Sequence, residues 1–390
     1  MSEETQIENG TRRRISVVAI ALLIVAIVAL AGCIMAGTET AQIGVMMCLS
    51  GDLGPVGPGL VEGVELAAWD ANREERINVS LIIEDTATSA DKAVEVGTKL
   101  IDIDGVQVIV GPMMSPSVLS LAEKANDNKV VLISPSGTAA SISDAGDYIF
   151  RVCPSDDLQG RALADLADAK EYTKVATLVV NNDYGVGLED TFEAEFSGEV
   201  TSTVRFESGK ADYRTELETI KGDSPEAVMI VAYPESATVI LKQAMELNLG
   251  TDWIAAEGIA DPVMLERPEI IPELEKMLFT KPVSPKDLAS YQDFLELFHE
   301  KYGDDKDPGI YAEYAYDATN LAIEAIIDAG NDGEKIKDAL YEIGDGYEGA
   351  SGIKTFDENG DVTSDFDILG VRNNEMVSVG SWIDGEVTLE

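Results

Sequence analysis

Small hydroxyl and aromatic side chains follow four short apolar runs of the chain, near the point where each run ends. The runs cover residues 106–110, 130–133, 175–180 and 227–232. The side chains that follow them are Ser115, Ser136, Thr138, Tyr184 and Tyr233. Continuous runs of β-branched residues are typical of strands that are buried on both faces of a parallel sheet. Because ligands bind at the carboxyl ends of the strands in such sheets, this placement predicts a ligand site.

The hydroxyl residues suit an anionic group. Ser115 followed by Pro116 is the pattern of a helix N-cap and a first helical residue, where free backbone N–H groups bind anions. The hydroxyls of Ser136 and Thr138 can donate or accept hydrogen bonds, and the glycine between them lets a ligand approach the backbone. Each residue also has an ordinary explanation, as a plain helix cap or as part of a turn.

The aromatic residues and one acidic residue complete the candidate set. Tyr184 and Tyr233 offer flat apolar faces with a polar tip, although either could simply pack on its own lobe. Glu257 follows a further short apolar run and could pair with an ammonium group, although carboxylates near clefts are often only solvated. Together these residues supply donors for a carboxylate, an acceptor for an ammonium and aromatic walls, which matches an α-amino acid zwitterion.

The same residues do not suit an enzyme. The chain has one histidine, His299, in a segment that is typical of an amphipathic helix, and it has no CxxC motif. Common zinc sites are therefore excluded, and so is any Ser-His or Cys-His pair that does not use His299. Residues 357–361 (DENGD) do not make a full EF-hand loop. With no phosphate-binding loop either, we expect a binding protein without metal or cofactor.

The order of strand and helix patterns predicts the architecture. A chain of 390 residues is too long for one compact core. Strands alternate with helices in two series that are separated at Cys153 and Pro154, so we expect an α/β protein of two doubly wound parallel-sheet lobes with a ligand cleft between them. Helices over 285–302, 308–329 and 333–343 then return to the first lobe. Segments 354–356 and 362–369 flank a turn and predict a hairpin.

The predicted boundaries follow from that order. They are 1–37 for an export segment and linker, 38–153 plus 284–350 for lobe 1, and 154–283 plus 351–390 for lobe 2.

The net charge of the chain limits the classes of molecule that it can bind. It contains 72 acidic and 28 basic residues, for a net charge of −44. Such an acidic protein repels nucleic acid and anionic lipid headgroups, so we expect no nucleic-acid partner. The acidity fits a protein that stays soluble in concentrated salt, and it equally fits an acidic cell-surface protein at ordinary salt.

The N-terminal region predicts export. Arg12, Arg13 and Arg14 precede an unbroken apolar stretch over 17–36, which is typical of a signal peptide. The sequence LAGC ending at Cys33 resembles the lipobox of exported lipoproteins, in which the cysteine becomes the lipid anchor. An uncleaved stretch of this length could also span a bilayer. Both alternatives place the body outside the cytoplasm, anchored to the outer face of the cytoplasmic membrane.

Two cysteines remain in the body of the protein. Cys48 and Cys153 could form a disulfide in an oxidising compartment, but sequence alone does not bring them within bonding distance. We favour two free buried thiols.

Seven segments together resemble a known family. They are LSGDLGPVGPGLVEGVELA, VIVGPMMSPS, LISPSGTA, FRVCPSDDLQG, VNNDYGVGL, YPESATVILKQA and FDENGD. The chain resembles, from Gln42 to its end, the extracytoplasmic solute-binding proteins of the leucine/isoleucine/valine-binding type, which serve ABC importers. The resemblance implies a type I periplasmic-binding-protein architecture, with three crossovers and hinged closure on the ligand. It also implies a free amino acid and an ABC permease as partners.

The resemblance assigns a role to each candidate. It implies that Ser115 binds the ligand carboxylate, that Ser136 and Thr138 hold the carboxylate and the ammonium, and that Glu257 receives the ammonium. The contacts from the other lobe fall on Tyr184 and Tyr233. Two positions depart from the family: Val56 lies where relatives often have an aromatic residue, and Met114 replaces a cysteine of a disulfide.

These departures leave an apolar pocket of undetermined size. The ligand class "amino acid" is therefore better supported than the narrower class of branched-chain or other hydrophobic amino acids. An amide, urea or aromatic-acid binder and a ligand-sensing ectodomain are the alternatives.

Overall fold

The computed structural model describes residues 40–390, of which Ala41–Glu390 form one compact unit. The first part of the chain builds a five-stranded sheet in the order β2-β1-β3-β4-β5, in which β1, β3, β4 and β5 pair in parallel. Its elements are β1 (Thr40–Met47), α1 (Gly57–Arg73), β2 (Asn78–Asp85), α2 (Ala90–Lys99), β3 (Val108–Val110), α3 (Ser115–Asn128), β4 (Val131–Ser134) and β5 (Ile149–Arg151). We call the body built on this sheet the first lobe.

The next part builds an eight-stranded sheet in the order β15-β14-β13-β10-β9-β8-β6-β7. Its elements begin with α4 (Asp156–Ala169), β6 (Lys174–Val180), α5 (Asp183–Glu195), β7 (Glu199–Phe206), α6 (Arg214–Asp223), β8 (Ala227–Val231), α7 (Pro234–Leu247), β9 (Asp252–Ala255), α8 (Ile271–Leu274) and β10 (Met277–Pro282). The five strands β6 to β10 pair in parallel. We call this body the second lobe.

The chain then returns to the first lobe and ends in the second. Helix α10 (Ala312–Ala329) packs on α1 and contacts β3 and β4, and its apolar face of alanine, leucine and isoleucine side chains lies in the core. The remaining elements are α9 (Ala289–Tyr302), α10 (Ala312–Ala329), α11 (Gly333–Ile343), β11 (Asp345–Gly349), β12 (Gly352–Thr355), β13 (Phe366–Arg372), β14 (Glu375–Ile383) and β15 (Glu386–Leu389).

The chain therefore passes between the lobes three times: after β5, after β10 and after β12. The predicted class of two doubly wound α/β lobes is confirmed, because each lobe carries a largely parallel sheet with helices between its strands. The exact lobe boundaries given above stay predictions.

The hairpin predicted across residues 357–361 is wrong. Strand β12 pairs antiparallel with β11, the strand that precedes it in the chain. Strand β13 pairs with β10 and β14 in the eight-stranded sheet. The turn itself is present, since the Asp357 carboxylate accepts hydrogen bonds from the N–H groups of Asn359 and Asp361. It lies in the third crossover, where the flanking strands separate into different lobes.

The N-terminal predictions lie outside the described residues. They comprise the signal peptide, the membrane-spanning alternative and the lipid anchor at Cys33. Within residues 40–390, no helix combines the length and hydrophobicity that a bilayer crossing requires.

Candidate functional site

A small cavity lies between the two lobes at the carboxyl ends of their parallel strands. It encloses about 40 Å³, and hydrogen bonds from Ser236 to Asp52 and from Ile310 to Asp261 join the lobes in a closed arrangement. Its lining comprises Leu53, Val56, Met113, Met114, Ser115, Ser136, Tyr184, Tyr233, Glu257, Gly258, Ile310 and Tyr311. The structure thus brings seven of the eight predicted pocket residues together, and the eighth, Thr138, is buried beside Ser115 through a backbone hydrogen bond.

A larger open groove of 890 Å³ lies along the second crossover, between Lys281 and Leu288, and contains none of the predicted residues. It is broad and partly charged, whereas the small cavity joins apolar walls to several converging polar groups. Convergence of a few polar groups in an apolar site is typical of ligand pockets. We therefore take the small cavity as the candidate site.

Ser115 lies at the start of α3, one residue further into the helix than predicted. Met114 is the N-cap, and Ser115 is the first helical residue. Its hydroxyl oxygen accepts hydrogen bonds from the N–H groups of Thr138 and Ala139, both at 3.1 Å. Because a hydroxyl has two acceptor positions and one proton, this arrangement leaves the Ser115 proton to be donated to a ligand.

The loop after β4 carries two further hydroxyls, which differ in their hydrogen bonding. Ser136 donates its proton to the carbonyl of Met113 at 2.9 Å, so of the two hydrogen-bonding roles open to its hydroxyl it offers the cavity that of an acceptor. Thr138 is buried, and its hydroxyl has no partner among the described residues. Burying a hydroxyl without a hydrogen-bond partner costs free energy, and a bound ligand could supply the missing hydrogen bond.

The two tyrosines form one wall from the second lobe. Their rings stack with centroids 5.9 Å apart and planes at 9°. The Tyr184 hydroxyl accepts a hydrogen bond from the Gly258 N–H at 3.2 Å, and the Tyr233 hydroxyl accepts one from the Asn182 amide at 3.1 Å. Both phenols keep a proton to donate, and burial raises the pKa of each, so both stay neutral.

Glu257 begins a short 3₁₀ turn after β9 and is only 3 % exposed. Its Oε2 atom has no hydrogen-bond partner among the described residues. Burial raises the pKa of Glu257 to about 7, because the charged form has lost its water. The site therefore contains a carboxylate that a bound cation would stabilise.

Asp156 is a buried acidic residue beside the site, outside the cavity lining, that the sequence analysis missed. It is the first residue of α4, is fully buried, and has no partner for either carboxylate oxygen among the described residues. Its backbone N–H donates to the Thr138 carbonyl at 2.8 Å. Burial, and then the charge of Glu257, raise the pKa of Asp156 well above its usual range. In the sequence it resembles an ordinary acidic residue in the first turn of a helix, which gives no sign of burial.

The remaining walls are apolar. Val56 and Met114 lie on the cavity as predicted, together with Leu53, Met113 and Ile310. Tyr311 also lines it, with a left-handed backbone (φ 64°) and a buried hydroxyl that has no partner among the described residues. Sequence analysis missed Tyr311 because no strand end marks it.

The two described cysteines are free and buried, which confirms the favoured alternative. Burial raises the pKa of Cys153 to about 12, so this thiol is unreactive. Within residues 40–390, no group of three or more histidine, cysteine or acidic side chains is placed to hold a metal ion.

Known proteins share both the sequence pattern and the fold. Residues 40–375 match the model of the Periplasmic binding protein family. The chain belongs to this family. The resemblance found in its motifs is thereby confirmed, and a periplasmic binding protein captures a solute rather than transforming it.

Three similar proteins illustrate the range of this periplasmic binding protein's relatives. The leucine-, isoleucine-, valine-, threonine- and alanine-binding protein of Pseudomonas aeruginosa is 26% identical over 335 residues, which cover 83% of this chain and 87% of that protein. A leucine-binding protein from Thermotoga maritima is 29% identical with a TM-score of 0.79, covering 87% of this chain and 97% of that one. A solute-binding protein from R. palustris in complex with benzoate shares the fold, with 20% identity, a TM-score of 0.79, and coverage of 90% of this chain and 98% of that one.

Proposed function

We propose that this periplasmic binding protein is the extracytoplasmic component of an ABC importer and captures a free amino acid, branched-chain or otherwise hydrophobic. The observation that carries the proposal is the pair of buried carboxylates, Glu257 and Asp156, whose unpartnered oxygens lie at a site with hydroxyl donors. Buried carboxylates without partners are costly unless a cation joins them. An α-ammonium group supplies that cation.

The two ends of a zwitterion have separate partners in this arrangement. In the proposed complex the ammonium pairs with Glu257, which lines the cavity, while Asp156 and Thr138 lie buried nearby and add negative charge and a hydroxyl to this end of the site. The carboxylate receives the proton of Ser115, whose oxygen is already held by two backbone N–H groups. Charge-assisted bonds of this kind fix the orientation of the ligand.

The side chain of the ligand then contacts apolar walls. Val56, Met114 and Leu53 come from the first lobe, and the ring faces of Tyr184 and Tyr233 from the second. No charged side chain other than Glu257 lines the cavity, which disfavours acidic and basic amino acids. This lining supports aliphatic side chains.

Capture proceeds by closure of the lobes. The ligand first meets Ser115 and Thr138 on the first lobe, and closure adds Tyr184, Tyr233 and Glu257 from the second. The closed form then docks on a membrane permease. Tethering to the outer face of the membrane, by a lipid on Cys33 or by an uncleaved apolar segment, is part of the same proposal.

Ligands without an ammonium group fit this site less well. Benzoate, urea or an amide would leave Glu257 and Asp156 without a cation. The carboxylate pair therefore favours amino-acid capture over an aromatic-acid or amide binder.

A thermal-shift screen tests the proposal, because a ligand that binds the native state raises the melting temperature. The purified protein is screened against L-leucine, L-isoleucine, L-valine, other amino acids, benzoate, urea and acetamide, at low and high salt. We expect stabilisation by aliphatic amino acids, and its loss in Glu257→Gln. The exposed Glu123→Gln variant serves as the matched control and should behave as wild type. Stabilisation by benzoate or acetamide alone would overturn the proposal.

A further inference from the structure

A carboxylate of the first lobe is bound by three groups of the second lobe. Asp52 lies in the loop between β1 and α1 and is 7 % exposed. Its Oδ1 atom accepts a hydrogen bond from the Ser236 N–H at 2.7 Å, and its Oδ2 atom accepts bonds from the hydroxyls of Ser236, at 2.6 Å, and Ser208. All of these donors follow strands of the eight-stranded sheet.

The contact replaces a missing helix cap. Helix α7 has Tyr233 as its N-cap, and that side chain makes no capping hydrogen bond. Ser236 is the third residue of the helix, so its N–H is one of the donors that a helix cannot satisfy internally. Aspartate is a preferred capping residue, and its charge is favourable at a helix N-terminus. Asp52 therefore caps a helix of the opposite lobe.

A second carboxylate, which belongs to the second lobe, accepts a hydrogen bond from the first lobe. Asp261 of the second lobe accepts a hydrogen bond from the Val263 N–H within its own 3₁₀ turn and another from the Ile310 N–H of the first lobe, at 3.1 Å. Ile310 lines the ligand cavity, as does Leu53 beside Asp52. The two bridges thus lie next to the cavity without placing either aspartate among its lining residues.

We propose that Asp52 is a positioning residue for ligand capture, and that its bonds to Ser236 and Ser208 stabilise the closed form without contact to the ligand. Because the partners belong to different lobes, opening breaks all three bonds and leaves α7 uncapped. Closure restores the cap and fixes Tyr233, the residue just before the helix, against the cavity. The proposal rests on the proposed function only for the choice of an amino acid as probe.

The proposal predicts an effect on affinity that does not depend on the ligand. If ligand binds tightly only to the closed form, the apparent Kd is the intrinsic Kd divided by the closed fraction. Loss of a helix cap corresponds to a shift of about 3- to 30-fold in that equilibrium. Asp52→Ala should therefore raise the Kd for L-leucine and for L-valine by the same factor, which reaches this range if the ligand-free protein is mainly open and is smaller if it is mainly closed. The increase should come from faster dissociation, since the bonds form after encounter.

The test combines calorimetry and stopped-flow dissociation with small-angle X-ray scattering of the ligand-free protein. We expect ligand-free Asp52→Ala to have a larger radius of gyration than wild type and to contract again with saturating L-leucine. Asp52→Asn, which keeps one acceptor, should give a smaller effect. Ser208→Ala removes one donor from the other lobe and should act in the same direction, which keeps the test valid if Asp52→Ala folds poorly.

Asp332→Ala is the matched control, because Asp332 caps α11 by accepting a hydrogen bond from Lys335 N–H and so acts within one lobe. It should lower the melting temperature and leave the Kd and the scattering profile unchanged. If Asp52→Ala leaves both the Kd and the ligand-free radius of gyration unchanged, as Asp332→Ala is expected to do, the proposal is overturned. The scattering needs no ligand, so this outcome is distinct from a failure of amino-acid binding.

Discussion

Arg151 binds both carboxylate oxygens of Asp361. The Nε atom lies 2.6 Å from Oδ1, and the Nη2 atom lies 2.7 Å from Oδ2. Arg151 ends β5 at the first crossover, and Asp361 belongs to the turn of the third crossover, so the pair ties two of the three connections between the lobes. The arginine side chain is fully buried.

The same guanidinium supports the ligand site. Its Nη1 atom donates to the carbonyls of Thr138 and Ala139, at 2.8 and 2.9 Å. The N–H groups of these two residues hold the Ser115 oxygen. A short chain of hydrogen bonds therefore connects the crossovers to the hydroxyl that we assign to the ligand carboxylate.

Replacement of Arg151 should destabilise the protein strongly. Arg151→Met leaves Asp361 without its cation, and breaking a buried pair costs about 3–5 kcal/mol of the free energy of unfolding. Urea denaturation measures this loss. The control is Arg161→Met, which breaks an exposed ion pair with Glu195 and should cost less than about 1 kcal/mol. Equal losses in the two variants would show that the Arg151 pair contributes no more than a surface contact.

Replacement of Asp156 should change stability and affinity in opposite directions. Asp156→Asn removes a buried, unpartnered charge, so the ligand-free melting temperature should stay equal or rise. The same change removes a charged acceptor of the ammonium and should raise the Kd for L-leucine about 10- to 100-fold. Thermal shift and calorimetry give the two values. Asp157→Asn, an exposed neighbour in the same helical turn, should leave the Kd unchanged; a lower melting temperature in Asp156→Asn would assign Asp156 a structural role.

Affinity should depend on pH through Glu257. In the ligand-free protein the pKa of Glu257 is raised to about 7, and a bound ammonium would lower it by favouring the charged form. Protons therefore compete with the ligand, so the Kd should rise as pH falls below about 7, by up to about tenfold per pH unit for one proton. Calorimetry from pH 5 to 9, in buffers of different ionisation enthalpy, should detect proton release near pH 7.

A variant of the carboxylate pair provides the control for this pH effect. Because Asp156 and Glu257 interact, the observed titration belongs to both. Glu257→Gln should bind weakly and with a flatter pH profile. A wild-type Kd that stays constant from pH 5 to 8 would contradict the assigned ammonium site.

The size of the pocket should set the preferred side chain. Val56 is one of the apolar residues that line the cavity. Val56→Phe fills space against Leu53 and Met114, so it should weaken L-leucine at least about tenfold more than L-alanine, since overpacking penalises the larger ligand. Competition binding of the two amino acids measures the ratio. Val94→Phe, on the exposed side of α2, should leave the ratio unchanged.

The sequence predicted elements whose signal is local. Helix α4 has such a local signal, because Ser155 caps it and apolar residues recur along one face. Buried β-branched runs such as Val108–Val110 placed Ser115 at a strand end. Pairing between distant strands has no local signal, which explains why β12 and β13 were wrongly joined as a hairpin.

The missed site residues have a similar explanation. Asp156 differs from other acidic helix-start residues only because it is buried beside Thr138 of the first lobe and near Glu257. Asp52 lies in a loop that resembles an ordinary turn until the lobes close and bring Ser236 to it. Burial and closure are properties of the folded molecule, so neither residue could be singled out from its neighbours in sequence.

In the proposed complex, the site binds both the ammonium and the carboxylate of an amino acid. Calorimetric titration of the purified protein with L-leucine, 4-methylpentanoic acid and isopentylamine tests it most directly, because the last two lack the ammonium and the carboxylate, respectively. We expect L-leucine to bind at one site per chain and both analogues to bind at least about 100-fold more weakly. Binding of 4-methylpentanoic acid as tight as that of L-leucine would contradict the assigned roles of Glu257 and Asp156.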